Sequence, residues 1–182
     1  GVMISCWQSE ENDFTTSVAW GDVDNDGDLD LAVGNNNLGI RAKNGNTSFE
    51  LITPHAANRV YRNDGKTADG KPKFTLAWSS TEQDATMSVA WGDYDGDGKL
   101  DLAVANSQHF MVIDSVFDLA AVNRPHYERK GQPSRLYRNT TVTNGAAANG
   151  QPAQISFALD PTFPALEDIS FSAAWGDIDN DG

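Results

Sequence analysis

DVDNDGDLD, residues 22–30, is the stretch on which the fold of this chain depends, and it recurs as DYDGDGKLD at residues 93–101. A third copy begins as DIDNDG at residues 177–182. Trp-Gly precedes all three copies, and the apolar run Leu-Ala-Val follows the two complete ones. An element that returns in the same sequence context indicates a chain built from internal repeats.

The chemistry of this nonapeptide is that of a calcium loop. Carboxylates at positions 1, 3, 5 and 9 are hard oxygen ligands, and calcium takes about six to eight such oxygens. Glycine at position 6, Gly27 or Gly98, permits the sharp turn that directs the carboxylates inward. Four carboxylates in one turn would repel each other strongly without a cation. We therefore predict bound Ca²⁺ in each complete copy.

The predicted ligands are the loop aspartates together with the backbone carbonyl of the residue at position 7. In chain order they are Asp22, Asp24, Asp26, Asp28 and Asp30, then Asp93, Asp95, Asp97, Lys99 and Asp101, then Asp177, Asp179 and Asp181. The third loop departs from the pattern, because its sequence ends at Gly182 and lacks positions 7 and 9.

Three other interpretations of the loops stay open at this point. Asp and Gly favour surface turns without any metal. An EF-hand begins alike, but it requires Glu at position 12, where this chain has Val33 and Val104. Magnesium is a third alternative, although it prefers to keep several waters and uses fewer carboxylates.

The charge of the chain is concentrated in the same loops. The 182 residues carry a net charge of −13, and 12 of the 26 acidic residues lie in the three Asp loops. This distribution makes nucleic acid a poor expected partner. No apolar run approaches the length of a membrane span. The single cysteine, Cys6, excludes an intrachain disulfide, and we expect it to be a small apolar strand residue.

Each repeat contains four short apolar runs separated by turns, which predicts four strands. The predicted strands are Ser17–Trp20, Leu29–Val33, residues 59–62 and Phe74–Trp78, with equivalents at Ser88–Trp91, Leu100–Val104, residues 135–138 and residues 157–159. The calcium loop is then the turn between the first two strands. Four-stranded units at such a period predict an all-β fold of β-propeller blades.

The chain resembles the FG-GAP/VCBS repeat family, whose best-known members are the propellers of integrin α subunits. The motifs that carry the resemblance are WGDVDNDGDLDLAVGN, WGDYDGDGKLDLAVAN and WGDIDNDG. The runs NRVYRN at 58–63 and SRLYRN at 134–139 resemble a bacterial subgroup often found beside an ASPIC/UnbV domain. The resemblance implies an extracellular or cell-surface location and calcium at four aspartates in each complete loop: Asp22, Asp24, Asp26 and Asp30, then Asp93, Asp95, Asp97 and Asp101.

On this interpretation the chain divides into blades of an incomplete propeller. We expect residues 1–14 to hold the last strand of a preceding blade, 15–85 the first full blade, 86–169 the second and 170–182 the start of a third. Insertions are expected at 36–57, 107–133 and 140–154, and residues 116–122 could form a short helix. The chain is therefore expected to be a fragment of a longer protein.

The sequence contains no nucleophile–base constellation and no phosphate-binding glycine loop, so we expect no enzymatic activity in this segment. The leading hypothesis is a calcium-stabilised scaffold for adhesion or ligand binding. An alternative is the propeller module of a secreted enzyme whose catalytic domain lies outside the segment. A calcium sensor is disfavoured, because a hairpin turn in a stacked sheet has little room to switch.

Expected partners are the remaining blades and an unknown protein or carbohydrate ligand. Ligand is expected on the rim that carries 36–57 and 107–133, with Arg41, His109, Phe110 and Tyr127 as exposed candidates. We expect Arg59 and Arg135 to form ion pairs within or between blades. The repeated tryptophans Trp20, Trp91 and Trp175 are expected to pack blades together rather than to form a sugar platform.

Overall fold

The computed structural model describes residues 5–36, 39–43, 48–52, 56–112, 127–142, 152–164 and 166–176. These residues form strands, turns and irregular segments. In chain order the strands are β1 (Thr15–Gly21), β2 (Asp30–Asn35), β3 (Gly39–Lys43), β4 (Ser48–Ile52), β5 (Arg59–Lys66), β6 (Pro72–Ser79), β7 (Thr86–Gly92), β8 (Asp101–Asn106), β9 (Gln108–Val112), β10 (Tyr127–Pro133), β11 (Arg135–Asn139), β12 (Phe157–Leu159) and β13 (Glu167–Asp168). Within the described ranges, no helix has the length and apolar character needed to span a bilayer.

Two four-stranded antiparallel sheets make up the body of the protein. The first has the order β1-β2-β5-β6, and the second has the same order in β7-β8-β11-β12. The registers of the first hairpins correspond, with Gly21 opposite Asp30 and Gly92 opposite Asp101. The prediction of an all-β fold built from four-stranded propeller blades is therefore confirmed, and so is the placement of each Asp loop between the first two strands of a blade.

The core lies between the two sheets. Alternate residues of a strand face opposite sides, and β2 buries both sides, with Leu31 and Ala32 each buried. The buried cluster draws on both sheets and consists of Val23, Ala32, Val60, Val89, Leu102, Val104, Tyr137 and Ile155. A position such as Val23, inside an Asp loop, therefore contributes to the contact between sheets.

The Trp-Gly pair that precedes each Asp loop joins neighbouring repeats. Trp91 Nε1 donates to the carbonyl of Ala19 at 3.2 Å, and a β-carbon at Gly21 would lie 2.7 Å from the Trp91 ring. Trp175 repeats this contact one unit later, with a hydrogen bond to Ala90. The Trp91 ring occupies the space that a side chain at position 21 would need, so the residue after Trp20 must be glycine. The prediction that Trp91 and Trp175 pack blades is confirmed.

The insertions leave the sheets opposite the Asp loops, because neighbouring strands run antiparallel and successive connections alternate between ends. Within residues 36–57, β3 pairs with β4 as a hairpin. Within residues 107–133, β9 pairs with β10, which also pairs with β13. The possible helix at 116–122 and most of the excursion at 140–154 lie outside the described residues.

The terminal segments are described only in part, and their assignment to partial blades stays a prediction. Residues 5–14 lie outside the strands, so the described part of 1–9 does not show the predicted last strand of a preceding blade. At the end of this segment the Phe14 carbonyl accepts from the backbone N–H of Asn36 at 2.8 Å. Trp7 nevertheless packs edge-on against Tyr61 and Phe74. Cys6 is exposed rather than an apolar strand residue.

Candidate functional site

The backbone of the first Asp loop curls around the carboxylate of Asp22. Its Oδ1 accepts from the Asp26 N–H and its Oδ2 from the Gly27 N–H, both at 3.0 Å. Asn25 and Gly27 adopt left-handed φ values of 58° and 96°. Glycine takes that conformation without steric cost, and asparagine tolerates it better than most residues. The sequence thereby turns the peptide N–H groups toward Asp22.

Asp30 closes the same loop from the first residue of β2. The residue is fully buried, and its carboxylate accepts from the backbone N–H groups of Val23 at 2.9 Å and Asn63 at 2.8 Å. Burial raises the pKa of Asp30 to about 6, against the effect of these two hydrogen bonds. An ionised Asp30 therefore requires additional positive charge nearby for full stabilisation.

The carboxylates of Asp22, Asp24 and Asp30 come together, with one oxygen from each lying within 4.8 Å of the others. Asp24 is only 6% exposed, and its Oδ1 is buried without a hydrogen-bond partner. Burial and then the charges of Asp26 and Asp22 raise the pKa of Asp24. A buried carboxylate oxygen without a partner is costly. The donor set, all hard oxygens, therefore fits a cation such as Ca²⁺.

The second Asp loop repeats the backbone pattern of the first. Asp93 accepts from the N–H groups of Asp97 at 3.1 Å and Gly98 at 2.8 Å. Asp101 is buried and accepts from the N–H groups of Tyr94 at 2.9 Å and Asn139 at 2.7 Å. Burial raises the pKa of Asp101 as well. Its carboxylate approaches those of Asp93 and Asp95 in a second group of three.

The second loop differs because basic side chains contact its carboxylates. Arg138 donates twice to Asp95, once from Nε at 3.0 Å and once from its Nη2. Lys99 Nζ lies 2.8 Å from Asp97. In the first repeat Arg62, the equivalent of Arg138, donates instead to the carboxylate of Asp64 at 2.8 Å. The first loop thus keeps a free carboxylate oxygen, whereas the second is partly neutralised by its own side chains.

The predicted ligands are brought together only in part. Positions 1, 3 and 9 of each loop converge, whereas Asp26 and Asp97 at position 5 are not members of the two groups. Asp26 Oδ1 accepts instead from the N–H of Asp28. The ligand role of the carbonyls at Asp28 and Lys99 stays a prediction. Asp177, Asp179 and Asp181 lie outside the described residues.

Two residues that position the loops were not predicted. Asn63 donates from Nδ2 to the Leu29 carbonyl at 3.1 Å, and Asn139 does the same to the Leu100 carbonyl at 3.1 Å. Each also supplies the backbone N–H that holds the aspartate at position 9 of its own loop. The available signal was their equivalent place at the ends of the NRVYRN and SRLYRN runs.

The repeated arginines form ion pairs, as predicted. Arg59 pairs with Asp13, and Arg135 pairs with Asp84, each in the segment that leads into the first strand of its blade. Beside these pairs the tyrosine of each repeat donates to a glutamate, from Tyr61 to Glu11 at 2.7 Å and from Tyr137 to Glu82 at 2.9 Å. The hydrogen bond from Tyr61 lowers the pKa of Glu11.

The structure does not describe the side chains of the residues predicted to contact a ligand on the rim opposite the Asp loops. These candidates lie in strands β3, β9 and β10, at positions where only the backbone is described: Arg41, His109, Phe110 and Tyr127. Their exposure therefore stays a prediction.

Comparison with known proteins supports the repeat assignment. The sequence profile of the FG-GAP-like repeat matches residues 32–104, and that of the FG-GAP repeat matches residues 14–49. No curated protein and no solved structure gave a match. The matched residues include both Asp loops and the whole first sheet. The matches support the assignment of this segment to FG-GAP repeats, which indicate a propeller-like module.

Proposed function

We propose that this chain is a calcium-stabilised, non-catalytic β-propeller module of an extracellular or cell-surface protein, serving ligand binding or adhesion. The observation that carries the proposal is the buried, unpartnered Oδ1 of Asp24 beside the carboxylates of Asp22 and Asp30. A divalent cation satisfies this oxygen and offsets the charge repulsion in one step. The extracellular or cell-surface location is proposed because FG-GAP repeats are typical of extracellular proteins. The narrower kinship with VCBS repeats and the ASPIC/UnbV-associated subgroup is part of the proposal.

Calcium in this role is structural. The loop connects β1 to β2, and Val23 inside it packs into the core between the sheets. A cation that binds only the curled loop stabilises the folded state, because binding to the native state alone shifts the unfolding equilibrium. The same packing leaves little room for the loop to change shape, which argues against a sensor.

Further blades are proposed as the partners of the outer face of β1. Val18 and Trp20 on that face are each 55% exposed, whereas Val89, the equivalent of Val18 on β7, is 5% exposed. The difference arises because β1 covers β7, through contacts such as Thr16 Oγ1 to the Thr86 carbonyl at 2.7 Å. A blade that repeats β1 would cover the first sheet in the same way.

The ligand-binding rim is proposed to be the one that carries the insertions at 36–57 and 107–133. These segments leave the sheets at the end opposite the Asp loops and form hairpins of their own. Long connections on a rigid scaffold commonly carry binding residues. With the partner of the full-length protein in hand, shortening 107–133 should abolish binding and leave the melting temperature nearly unchanged. If the shortened protein still binds its partner with the same affinity, the assignment of ligand binding to this rim is refuted.

The calcium proposal is tested by thermal unfolding with chelator and with increasing calcium. Extracellular modules bind calcium with dissociation constants of about 10⁻⁴–10⁻³ M, so about 10 mM calcium stabilises each loop by about 1.4–2.7 kcal/mol. For a chain of this size that corresponds to a rise of about 3–10 °C in melting temperature. Asp24→Asn should remove most of the first loop's share. Asp28→Asn removes the same charge from an exposed side chain outside the converging group, and it should retain most of that share.

Magnesium at the same concentration is the matched control, because magnesium favours sites with fewer protein oxygens. Equal stabilisation by both ions would assign the effect to general screening of charge. A melting temperature that is the same with chelator and with calcium would refute calcium binding.

A further inference from the structure

Asn139 lies between the two Asp loops and hydrogen-bonds to both. Its Nδ2 donates to the carbonyl of Val23 in the first loop at 2.9 Å and to the carbonyl of Leu100 in the second at 3.1 Å. Its backbone N–H donates to the carboxylate of Asp101 at 2.7 Å. One side chain therefore touches two candidate cation sites that are far apart in sequence.

The position of this side chain is fixed. Asn139 is 4% exposed, and its Oδ1 accepts from the N–H of Thr141 at 2.9 Å. With both ends of the amide engaged, rotation about the terminal torsion would leave buried polar groups unpaired. A movement of either loop therefore changes the hydrogen bonds that hold the other.

Val23 connects this bridge to the carboxylate group of the first loop. It stands between Asp22 and Asp24 in the chain, and its N–H donates to Asp30. Its side chain is fully buried in the cluster between the sheets. The peptide groups on either side of Val23 thus join the carboxylates of the first loop to the amide of Asn139.

A second hydrogen bond joins the loops at the surface. Asn25 Nδ2 in the first loop donates to the carbonyl of Gly98 in the second at 3.2 Å. The equivalent of Asn25 in the second loop is Gly96, which also has a left-handed φ, of 71°. Asn25→Gly therefore removes this bond without introducing backbone strain.

Asn63 is the equivalent of Asn139 in the first repeat, but its described hydrogen bonds do not reach the other loop. It occupies the equivalent place in the first repeat, where its side chain donates to Leu29 and its backbone N–H to Asp30. Both contacts hold its own loop. The bond from Asn139 to Val23 is the additional element in the second repeat.

We propose that Asn139 couples the two loops energetically, so that calcium bound in the first loop raises the calcium affinity of the second. This inference rests on the proposed calcium binding. A cation that fixes Asp22 and Asp24 also fixes Val23 between them, and an ordered Val23 carbonyl holds the amide of Asn139. The second loop then binds with less ordering cost, and the effect is reciprocal by thermodynamic linkage.

The coupling is measurable one loop at a time by NMR. The amides of Gly27 and Gly98 donate to Asp22 and Asp93, so each reports on its own loop. The ¹⁵N-labelled chain is titrated with CaCl₂ as wild type and as Asp24→Asn, which disables the first loop. We expect the Gly98 midpoint to move to about fivefold higher calcium in Asp24→Asn, at the lower end of typical coupling.

Two variants assign the coupling to the bridge. In Asn139→Ala the dependence of the Gly98 midpoint on an intact Asp24 should fall to the small part that the bond from Asn25 to Gly98 carries. In Asn63→Ala, the matched control, the fivefold dependence should persist, because that side chain holds only its own loop among the described residues. Should Asn139→Ala fail to fold, Asn139→Asp is the substitute, because it keeps the acceptor for the Thr141 N–H and removes the donor to Val23. Most of the dependence should then be lost, and a fivefold dependence in this variant would refute the role of Asn139.

Each outcome of the titration decides a different question. If both glycines respond to calcium and the Gly98 midpoint is the same in wild type and Asp24→Asn, the coupling is refuted and calcium binding stands. If neither glycine responds, the proposed function fails and the coupling fails with it. A fivefold dependence that persists in Asn139→Ala would refute the role of Asn139.

Discussion

The two Asp loops share a backbone and differ in electrostatic environment. In each, the first aspartate accepts two turn N–H groups and the last is buried with two backbone donors. Val23 at position 2 of the first loop is fully buried, whereas Tyr94 at the same position of the second is 45% exposed. The nonapeptide therefore determines the loop's shape, and the residues packed around it determine how strongly its carboxylates need a cation.

Two causes contribute to the difference. One is context: residues of the second sheet contact the first loop at Val23, and Asp24 is buried, whereas Asp95 is exposed. The other is sequence: the second loop has Lys99 where the first has Asp28, and Arg138 pairs with Asp95 while Arg62 pairs with Asp64. We expect the first loop to bind calcium more tightly than the second, and substitutions can separate the two causes.

The largest expected effect is at the buried aspartate that ends each loop, a feature that the two loops share. Asp30→Ala and Asp101→Ala each leave two backbone N–H groups without their acceptor and remove a ligand. Each unpaired buried donor costs about 1–3 kcal/mol, so in saturating calcium both variants should unfold at least about 6 °C below wild type. Asp26→Ala, which removes an exposed carboxylate outside the converging group, is the control and should lower the melting temperature less.

In chelator the loss caused by Asp30→Ala should be smaller, because the variant also removes a buried charge that no cation then neutralises. Calorimetric or fluorescence melting curves in both conditions measure the difference. A large loss of melting temperature in one of these two variants and none in the other, both measured in chelator, would show that the loops do not share the same backbone role.

A smaller effect is expected at the arginines, where the loops differ. Arg138→Gln frees Asp95 and should raise the calcium affinity of the second loop by up to about fivefold, the upper end of what an exposed ion pair contributes. Arg62→Gln should change the affinity of the first loop less, because Arg62 hydrogen-bonds to Asp64 and acts on Asp24 only through its charge. The Gly98 and Gly27 midpoints in a calcium titration provide the readout, and equal shifts in both variants would contradict a specific competition at Asp95.

The smallest effect is expected at Lys99. Its ion pair with Asp97 is partly exposed, and such pairs contribute little at physiological salt. Lys99→Gln should raise the second loop's calcium affinity by about twofold or less, and the gain should disappear as ionic strength rises. A gain that is large and independent of salt would mean that the lysine, rather than burial, dominates the difference between the loops.

The spacing of residue types along the chain was enough to predict the strands, the turns formed by the Asp loops and the ion pairs of the repeated arginines. The Asp spacing predicted the hairpin turn and the convergence of Asp22, Asp24 and Asp30 because all three lie within one turn of chain. Alternating apolar residues predicted the four strands of each sheet. The pairing of Arg59 and Arg135 with acidic residues followed from their repeated positions.

Contacts between distant segments were beyond the sequence. Asn139 meets Val23 across 116 residues, and nothing in the local pattern specifies that neighbour. The place of Asp26 outside the converging group arises because its carboxylate caps the N–H of Asp28. The diversion of Arg62 from the first loop depends on Asp64, whose equivalent in the second repeat is Thr140. Such choices among polar partners are settled by packing in three dimensions.

The most direct test is a crystal structure of this chain grown in about 10 mM calcium, with anomalous diffraction to identify the ion. We predict an anomalous peak in the first loop, about 2.3–2.6 Å from oxygens of Asp22, Asp24 and Asp30, with Asp24 Oδ1 as one of its ligands. The second loop should show the weaker peak. A first loop without anomalous density, in which water or a protein donor satisfies Asp24 Oδ1, would contradict the account.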